Sequence, residues 1–429
     1  MVLETVIALR LAAGAPAPVA APSAAPALSS PLGGTPSLPL APSAPQLPPA
    51  PTPVPAAPLD LSPSAGVYER RGVGLLALDA KDSTALHLSE GTRRAHALIR
   101  DAVDGAEGAA SAFDGRVIRR LGDGSLIAFP TYAAALGAAE AIQRENAARA
   151  AAGAEVPRLR VGVHAGRVLV DATGAAPEIY GRAVEKTLAL AASADGGAVA
   201  TEDGAKGAPA APARAPDAPR PVDSVRVERA ATMFASLDGW TTAYERYGRR
   251  RSYAAVKAFH AFVREAVERR GGIVVKTEGE TVMASFPTAE AGVRAAADIQ
   301  ARLGDLRAAA PLGRFMRARV GLSWGRVIRE ERAGEVDYFG NTVNAAARLM
   351  RLSGDGEALI SGTAAGEPGV GPLLDGAARE TTRMKGFDGE IAVTRLKPGP
   401  APRDAAAAAR LRETARKARA AIAPAPDAR

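Results

Sequence analysis

The sequence predicts a mixed α/β fold built twice over, each copy a sandwich with its helices on one sheet face. Three observations carry this expectation. Similar stretches recur at a near-constant spacing, apolar strand-like runs alternate with helical ones around a hairpin, and proline-rich segments fall outside both copies. Asp79 and Ser236 stand 157 positions apart, as do Asp123 and Glu280, while Arg167 and Arg326 are 159 apart. The two-residue change falls in a variable segment, so the pattern is one of duplication.

The elements follow in order. The first 64 residues hold 16 of the 33 prolines, and proline has no N–H for a strand ladder, so residues 1–66 read as a disordered or extended arm. Its opening, Met1 to Gly14, makes a poor signal peptide, because no basic residue precedes the apolar run and Glu4 and Arg10 interrupt it. The first copy spans 67–203 and opens on a strand at Gly74–Leu78; the second spans 223–398 and opens on Met233–Leu237. Val256, Phe259, Val263 and Val267 then recur at helical spacing. Val274–Lys276 and Val282–Phe286 flank a turn at Gly279, which is a hairpin signal. An Ala-rich helix (Ala289–Leu303), a strand (Arg317–Leu322) with its partner and a helix opening near Asn341 complete the unit. Gly204–Val222 is again Pro/Ala-rich and reads as a linker. Residues 399–429 read as a basic tail in solvent. From Arg403 to Arg429 there are seven Lys/Arg against three Asp/Glu, half of the net charge of +8.

Composition narrows the chemistry. With no cysteine, a disulfide scaffold, a zinc-thiolate site and a thiol nucleophile are excluded. The four histidines are not spaced to share a metal, which leaves oxygen ligands. No run approaches 18 apolar residues, so no membrane-spanning helix is expected and the location read is cytoplasmic. Gly321-Leu322-Ser323-Trp324-Gly325 fits the nucleophile elbow of hydrolases, but that elbow needs a following helix. Here Arg326-Val327-Ile328 continues as strand, and His164 holds the serine's place in the first copy. His164 itself reads as a packed or hydrogen-bonded core residue.

Two carboxylates stand out. Asp79 ends a buried strand and Asp123 sits in the turn Gly122-Asp123-Gly124. Adjacent strands lie about 4.8 Å apart, so both side chains reach one site if these strands pair. Two such groups suit magnesium, which completes its shell with water and phosphates; ordinary turn chemistry is the competing explanation.

With the second copy added, the pattern resembles the class III nucleotidyl cyclases, the family of adenylyl and guanylyl cyclases. The resemblance runs from near Val73 to Leu396 and covers the catalytic domain twice. Asp79-Ala80-Lys81-Asp82-Ser83-Thr84 is similar to the family's first metal motif, with Asp82 in place of a glycine. Gly122-Asp123-Gly124 resembles its second metal turn. Asp337-Tyr338-Phe339-Gly340-Asn341-Thr342-Val343-Asn344-Ala345-Ala346-Ala347-Arg348 matches its most distinctive stretch, and Met384-Lys385-Gly386-Phe387 resembles its late Lys-Gly turn.

The resemblance implies a ferredoxin-like palm in each copy and a single composite site between the copies, as an intrachain pseudo-heterodimer; a homodimer is a further option. The copies divide the equipment. Ser236 and Glu280 replace the metal residues in the second, while Glu185 and Ala189 replace Asn344 and Arg348 in the first. Asp79 and Asp123 are implied to hold two Mg2+ or Mn2+ ions. Arg348 is implied to stabilise charge on the α-phosphate, Asn344 to orient the ribose, and Arg167 and Lys385 to hold the outer phosphates. Lys276 and Asp337 occupy the positions of the adenine-selecting pair, so ATP is the implied substrate and cyclic AMP the product. Glu278, two residues beyond Lys276, stands where an apolar residue is usual. A guanylyl cyclase and a catalytically silent nucleotide-binding regulator are the alternatives. No nucleic acid partner is implied.

Overall fold

The computed structural model describes residues 59, 61, 67–173, 176–202, 210–218, 221–238, 240, 243–384, 387, 389–397, 399 and 404–421. The first half runs β1 (Val67–Ala80), α1 (Ser83–Ser89), α2 (Thr92–Ser111), β2 (Arg116–Arg120), β3 (Gly124–Phe129), α3 (Tyr132–Ala151), β4 (Leu159–Asp171), β5 (Glu178–Tyr180), α4 (Arg182–Ser193) and β6 (Val199–Thr201). The second runs β7 (Ser224–Leu237), α5 (Ala243–Tyr247), α6 (Arg249–Arg269), β8 (Ile273–Glu278), β9 (Thr281–Phe286), α7 (Ala289–Ala301) and α8 (Leu303–Ala309). It continues through β10 (Ala318–Arg332), β11 (Glu335–Phe339), α9 (Asn341–Leu352), β12 (Glu357–Ser361), α10 (Gly362–Ala365), β13 (Ala378–Thr382), β14 (Ile391–Leu396) and α11 (Ala405–Ala421).

Each half forms its own sheet, and the two share one pairing scheme. In the first the order is β2-β3-β1-β4-β5, with β6 parallel to β4. In the second β8-β9-β7-β10 repeats that core, with β11 antiparallel and β12 parallel to β10, and β13 and β14 extend the edge. The opening strands are longer than their apolar cores suggest. So is β10, a single strand of 15 residues in which Ser323 is buried mid-strand, so there is no nucleophile elbow. His164 lies in β4, its Nδ1 3.1 Å from a Glu202 carboxylate oxygen.

Helices cover both faces of each sheet rather than one. Leu76, Leu78 and Val161 face α2 and α3, while alternate residues such as Leu75 and Ala77 face Ala183 and Val184 of α4. The same division places α6 and α7 against Met233 and Ala235, and α9 against Phe234. Strand residues alternate in direction, so a sheet apolar at every position needs cover on both sides. Gly162 and Gly321 permit the second layer: a Cβ at either would sit 2.1–2.3 Å from backbone of α4 or α9.

Two segments depart from the sequence reading. Leu59 and Leu61, within the stretch read as a disordered arm, are buried in the core cluster of β1 and β4. Helix α11, within the stretch read as a solvated tail, buries Ala407, Ala408, Leu411 and Ala415, and Leu411 and Ala415 join the core of the second half. Its arginines line the opposite face, so a charge count alone hides the apolar stripe. The linker is also engaged where it is described. Ala210 N donates to Ala133 O at 2.9 Å and Asp217 N to Ser111 Oγ at 2.6 Å, laying the chain along the first half's helices. No helix among the described residues is long and apolar enough to cross a membrane.

Candidate active site between the two halves

A cavity of about 1080 Å³ opens between the halves and receives side chains from both. It is large for a small-molecule site. Asp79 comes from the end of β1, which pairs with β3 so that Asp79 stands opposite Gly124. A Cβ at Gly124 would lie 2.0 Å from Leu78 O, so only glycine lets this turn press against β1. Ala80 N donates to Asp123 O at 2.9 Å and fixes the turn there. Both carboxylates line the cavity.

The chain then turns into α1 at Asp82, whose φ of 57° is left-handed. Aspartate tolerates this conformation better than most residues, which explains how it stands in a glycine's place. Ser83 Oγ donates to Asp123, and Arg160, opposite Asp79 on β4, pairs with the Asp79 carboxylate. The other Asp79 oxygen, Oδ1, is buried without a hydrogen-bond partner. Burial and then the charge of Asp123 push the Asp79 carboxyl up to about 7, against the pull of Arg160. A strained pair of acids with an orphaned oxygen is a donor set that fits a hard divalent cation. Among the described residues no cluster of three or more His, Cys, Asp or Glu forms a metal site, so water and phosphate would complete the shell.

The second half supplies α9. Its first turn follows β11 directly, and its register points Asn344 and Arg348, four residues apart, at the first half. Asn344 Nδ2 and an Arg348 guanidinium nitrogen both donate to Thr84 Oγ1, at 3.1 and 2.8 Å. Arg348 lies 5.1 Å above the Phe387 ring, and its other terminal nitrogen is buried and unpartnered. Lys276 Nζ donates to Asp337 Oδ2 at 2.8 Å and to Arg120 O at 3.3 Å. Glu278 stands 3.8 Å from Nζ, so Asp337 is its nearer carboxylate. Burial opposes the lysine's charge, but Asp337 and Glu278 outweigh it and hold its pKa above the usual value.

The structure thus brings Asp79, Asp123, Lys276, Asn344 and Arg348 to one cavity, with Asp337 behind Lys276. It does not bring Arg167 there. That guanidinium lies 3.9 Å from Glu69 and does not line the cavity. Arg160, seven residues earlier on the same strand, does. Lys385 lies outside the described residues, although its neighbours Arg383 and Met384 line the cavity. Sequence reasoning missed Arg160, Arg351 and the bridging role of Thr84. The register opposite Asp79 identifies Arg160 only once β4 is paired with β1.

The opposite, pseudo-equivalent corner is differently furnished. Ser236 Oγ is 2.8 Å from Thr281 Oγ1, and Glu185 Oε2 is buried without a partner. Burial and the charge of Glu280 push the Glu185 carboxyl up to about 7.

Comparison with known proteins defines the class. Residues 222–391 match the family model of the adenylate and guanylate cyclase catalytic domain, and this segment is a class III nucleotidyl cyclase catalytic domain. The chain is 33% identical over 172 residues to an uncharacterised protein of Mycobacterium tuberculosis, covering 40% of this chain and 42% of that protein. It is 31% identical over 169 residues to an adenylate cyclase of Glutamicibacter nicotianae, covering 39% of each. The chain therefore spans about two fifths of the length of these relatives. A crystal structure of a class III adenylyl cyclase-like ATP-binding protein from Pseudomonas aeruginosa superposes over 72% of this chain and 87% of its own, with 14% identity and a TM-score of 0.56. That likeness extends the shared fold into the first half.

Proposed function

We propose that the chain is an adenylate cyclase, converting ATP to cyclic AMP and pyrophosphate at one composite site between its halves. The observation that carries this reading is the convergence of Asp79 and Asp123 from one half with Asn344 and Arg348 from the other. Asp79 and Asp123 would hold Mg2+ or Mn2+, which when bound supply Lewis acidity toward the ribose 3′-hydroxyl and the phosphate oxygens. The chain's own part is positional and electrostatic. Arg348 donates to oxygen on the α-phosphate, where charge builds, and Asn344 orients the ribose. Both already point at Thr84, so the site is preorganised around that hydroxyl. Arg160 takes the phosphate-holding role that the sequence reading gave to Arg167.

Base choice rests on Lys276 and Asp337. Adenine offers an acceptor nitrogen and a donor amine, which a lysine and a carboxylate 2.8 Å apart can answer together. Purified chain assayed with ATP and GTP in Mg2+ or Mn2+ tests the reading. Cyclic AMP formation that Asp79→Ala abolishes supports it; no product from either nucleotide contradicts it. A second reading, nucleotide binding without turnover, is favoured by the Asp79–Arg160 pair, which occupies one metal carboxylate, and by the fold shared with an ATP-binding protein. ATP affinity without product would select it.

A further inference from the structure

We infer that Arg351 is an additional triphosphate-binding residue, a cation that this chain adds at its composite site and nowhere else. The inference deepens the proposed function and rests on it.

Arg351 lies on α9 three residues beyond Arg348, so the two share a face of the helix. It lines the same cavity as Asp79, Asp123 and Arg348. The other guanidiniums there each have a neighbour in the chain: Arg160 has Asp79, Arg348 has Thr84, Arg319 has Asp238 at 2.7 Å and Arg383 has Glu390 at 4.0 Å. Arg351 alone of these cavity arginines makes no ion pair or hydrogen bond with the described residues, and it is exposed. Burial first, and then the nearby Arg351 charge, disfavours the charged form of Arg348. Two guanidiniums held close without a shared anion repel each other. A polyphosphate between them and the metal carboxylates would turn that repulsion into binding.

Asymmetry separates this from routine helix chemistry. A cation in a helix's last turn complements the helix dipole, which alone could account for an arginine there. The residue 159 positions earlier, Ala192, sits in the last turn of the equivalent helix α4, which holds no basic residue. The dipole is the same in both helices, yet the cation appears only on the helix that carries Arg348. It therefore follows the site, and a guanidinium so placed suits the outer phosphates of a nucleoside triphosphate and the pyrophosphate that leaves.

The test measures binding to the full chain in Mg2+, using α,β-methylene-ATP, which cannot be cyclised, and AMP. Arg351→Ala should weaken the triphosphate analogue about tenfold and leave AMP within twofold; Arg351→Lys should recover part of the loss. Unchanged analogue affinity in Arg351→Ala, or equal losses for AMP and the analogue, would overturn the inference while leaving the nucleotide reading intact. A wild-type chain that binds neither compound overturns both. Thermal melting of each variant separates lost contacts from lost fold.

Discussion

The halves meet at two equivalent junctions that differ in chemistry. At one, Glu330 on β10 lies 3.0 Å from His96 Nε2 and 3.4 Å from Arg100 Nε of α2, with Phe339 edge-on to His96 at 4.7 Å. At the other, Asp171 on β4 accepts from Tyr253 at 2.5 Å and from Lys257 at 3.2 Å on α6, with Tyr180 edge-on to Tyr253 at 5.4 Å. The residues correspond one for one along the repeat: Glu330 with Asp171, His96 with Tyr253, Arg100 with Lys257, Phe339 with Tyr180. Geometry is thus kept where the halves must dock, while side chains diverge. The cavity between the junctions follows the same rule, with acids and α9 donors at one corner and Ser236, Glu280 and Thr281 at the other.

The largest expected contrast is between the corners. Asp79→Ala and Arg348→Ala should each cost at least about 10²–10³ in cyclic AMP turnover, the usual loss for a group aimed at developing charge. Ser236→Ala should stay within a few-fold. Equal losses in a side-by-side turnover assay would erase the distinction between corners.

Next come the junctions. Arg332 adds a further tie at the first, donating to both Asp104 oxygens at 3.1 and 3.0 Å while only 5% exposed. Its counterpart at the second is Thr173, and that of Asp104 is Ala261. Asp104→Ala leaves the buried Arg332 guanidinium with Glu330 alone among the described residues, at 3.3 Å, so it should destabilise the chain by about 2–3 kcal/mol in denaturant unfolding. Asp171→Asn should cost less, because Tyr253 can still donate and Lys257 reaches solvent. Matching losses would mean the junctions are energetically alike.

Base selection is a smaller effect. Lys276 and Asp337 should favour ATP over GTP by about tenfold in kcat/KM, roughly 1.4 kcal/mol. Lys276→Ala should narrow the ratio.

An effect of similar size, but dependent on pH, concerns Glu185. Its pKa is raised in the folded chain, so the stability tied to its proton is present at acid pH and lost as pH rises toward about 7. Glu185→Gln should match wild type near pH 4 and exceed it by about 1–2 kcal/mol at pH 8, discounted because the site is partly solvated. A difference independent of pH would refute that cause.

Much of this was legible in the sequence, for identifiable reasons. The four apolar positions Val256, Phe259, Val263 and Val267 are buried on α6 as their spacing predicts, and Asp79 meets Asp123 because β1 and β3 pair. What escaped was whatever depends on register or on the other half. Arg160 and Arg167 lie on one strand, and only its pairing with β1 shows which one reaches the cavity. The docking of α11 and the β10–α2 junction are long-range contacts, and local periodicity carries no trace of them. Layer placement failed for a related reason: an uninterrupted apolar strand signals cover on two faces, while the helix pattern shows only that helices exist.

The central claim is that each half of one chain supplies part of a single site. Mixing purified Asp79→Ala with Arg348→Ala and measuring cyclic AMP tests it most directly. With the halves docked inside each chain, every molecule keeps one broken half, and the mixture should be as inactive as its components. Substantial recovery would show that halves from different chains combine, and would contradict the single-chain account.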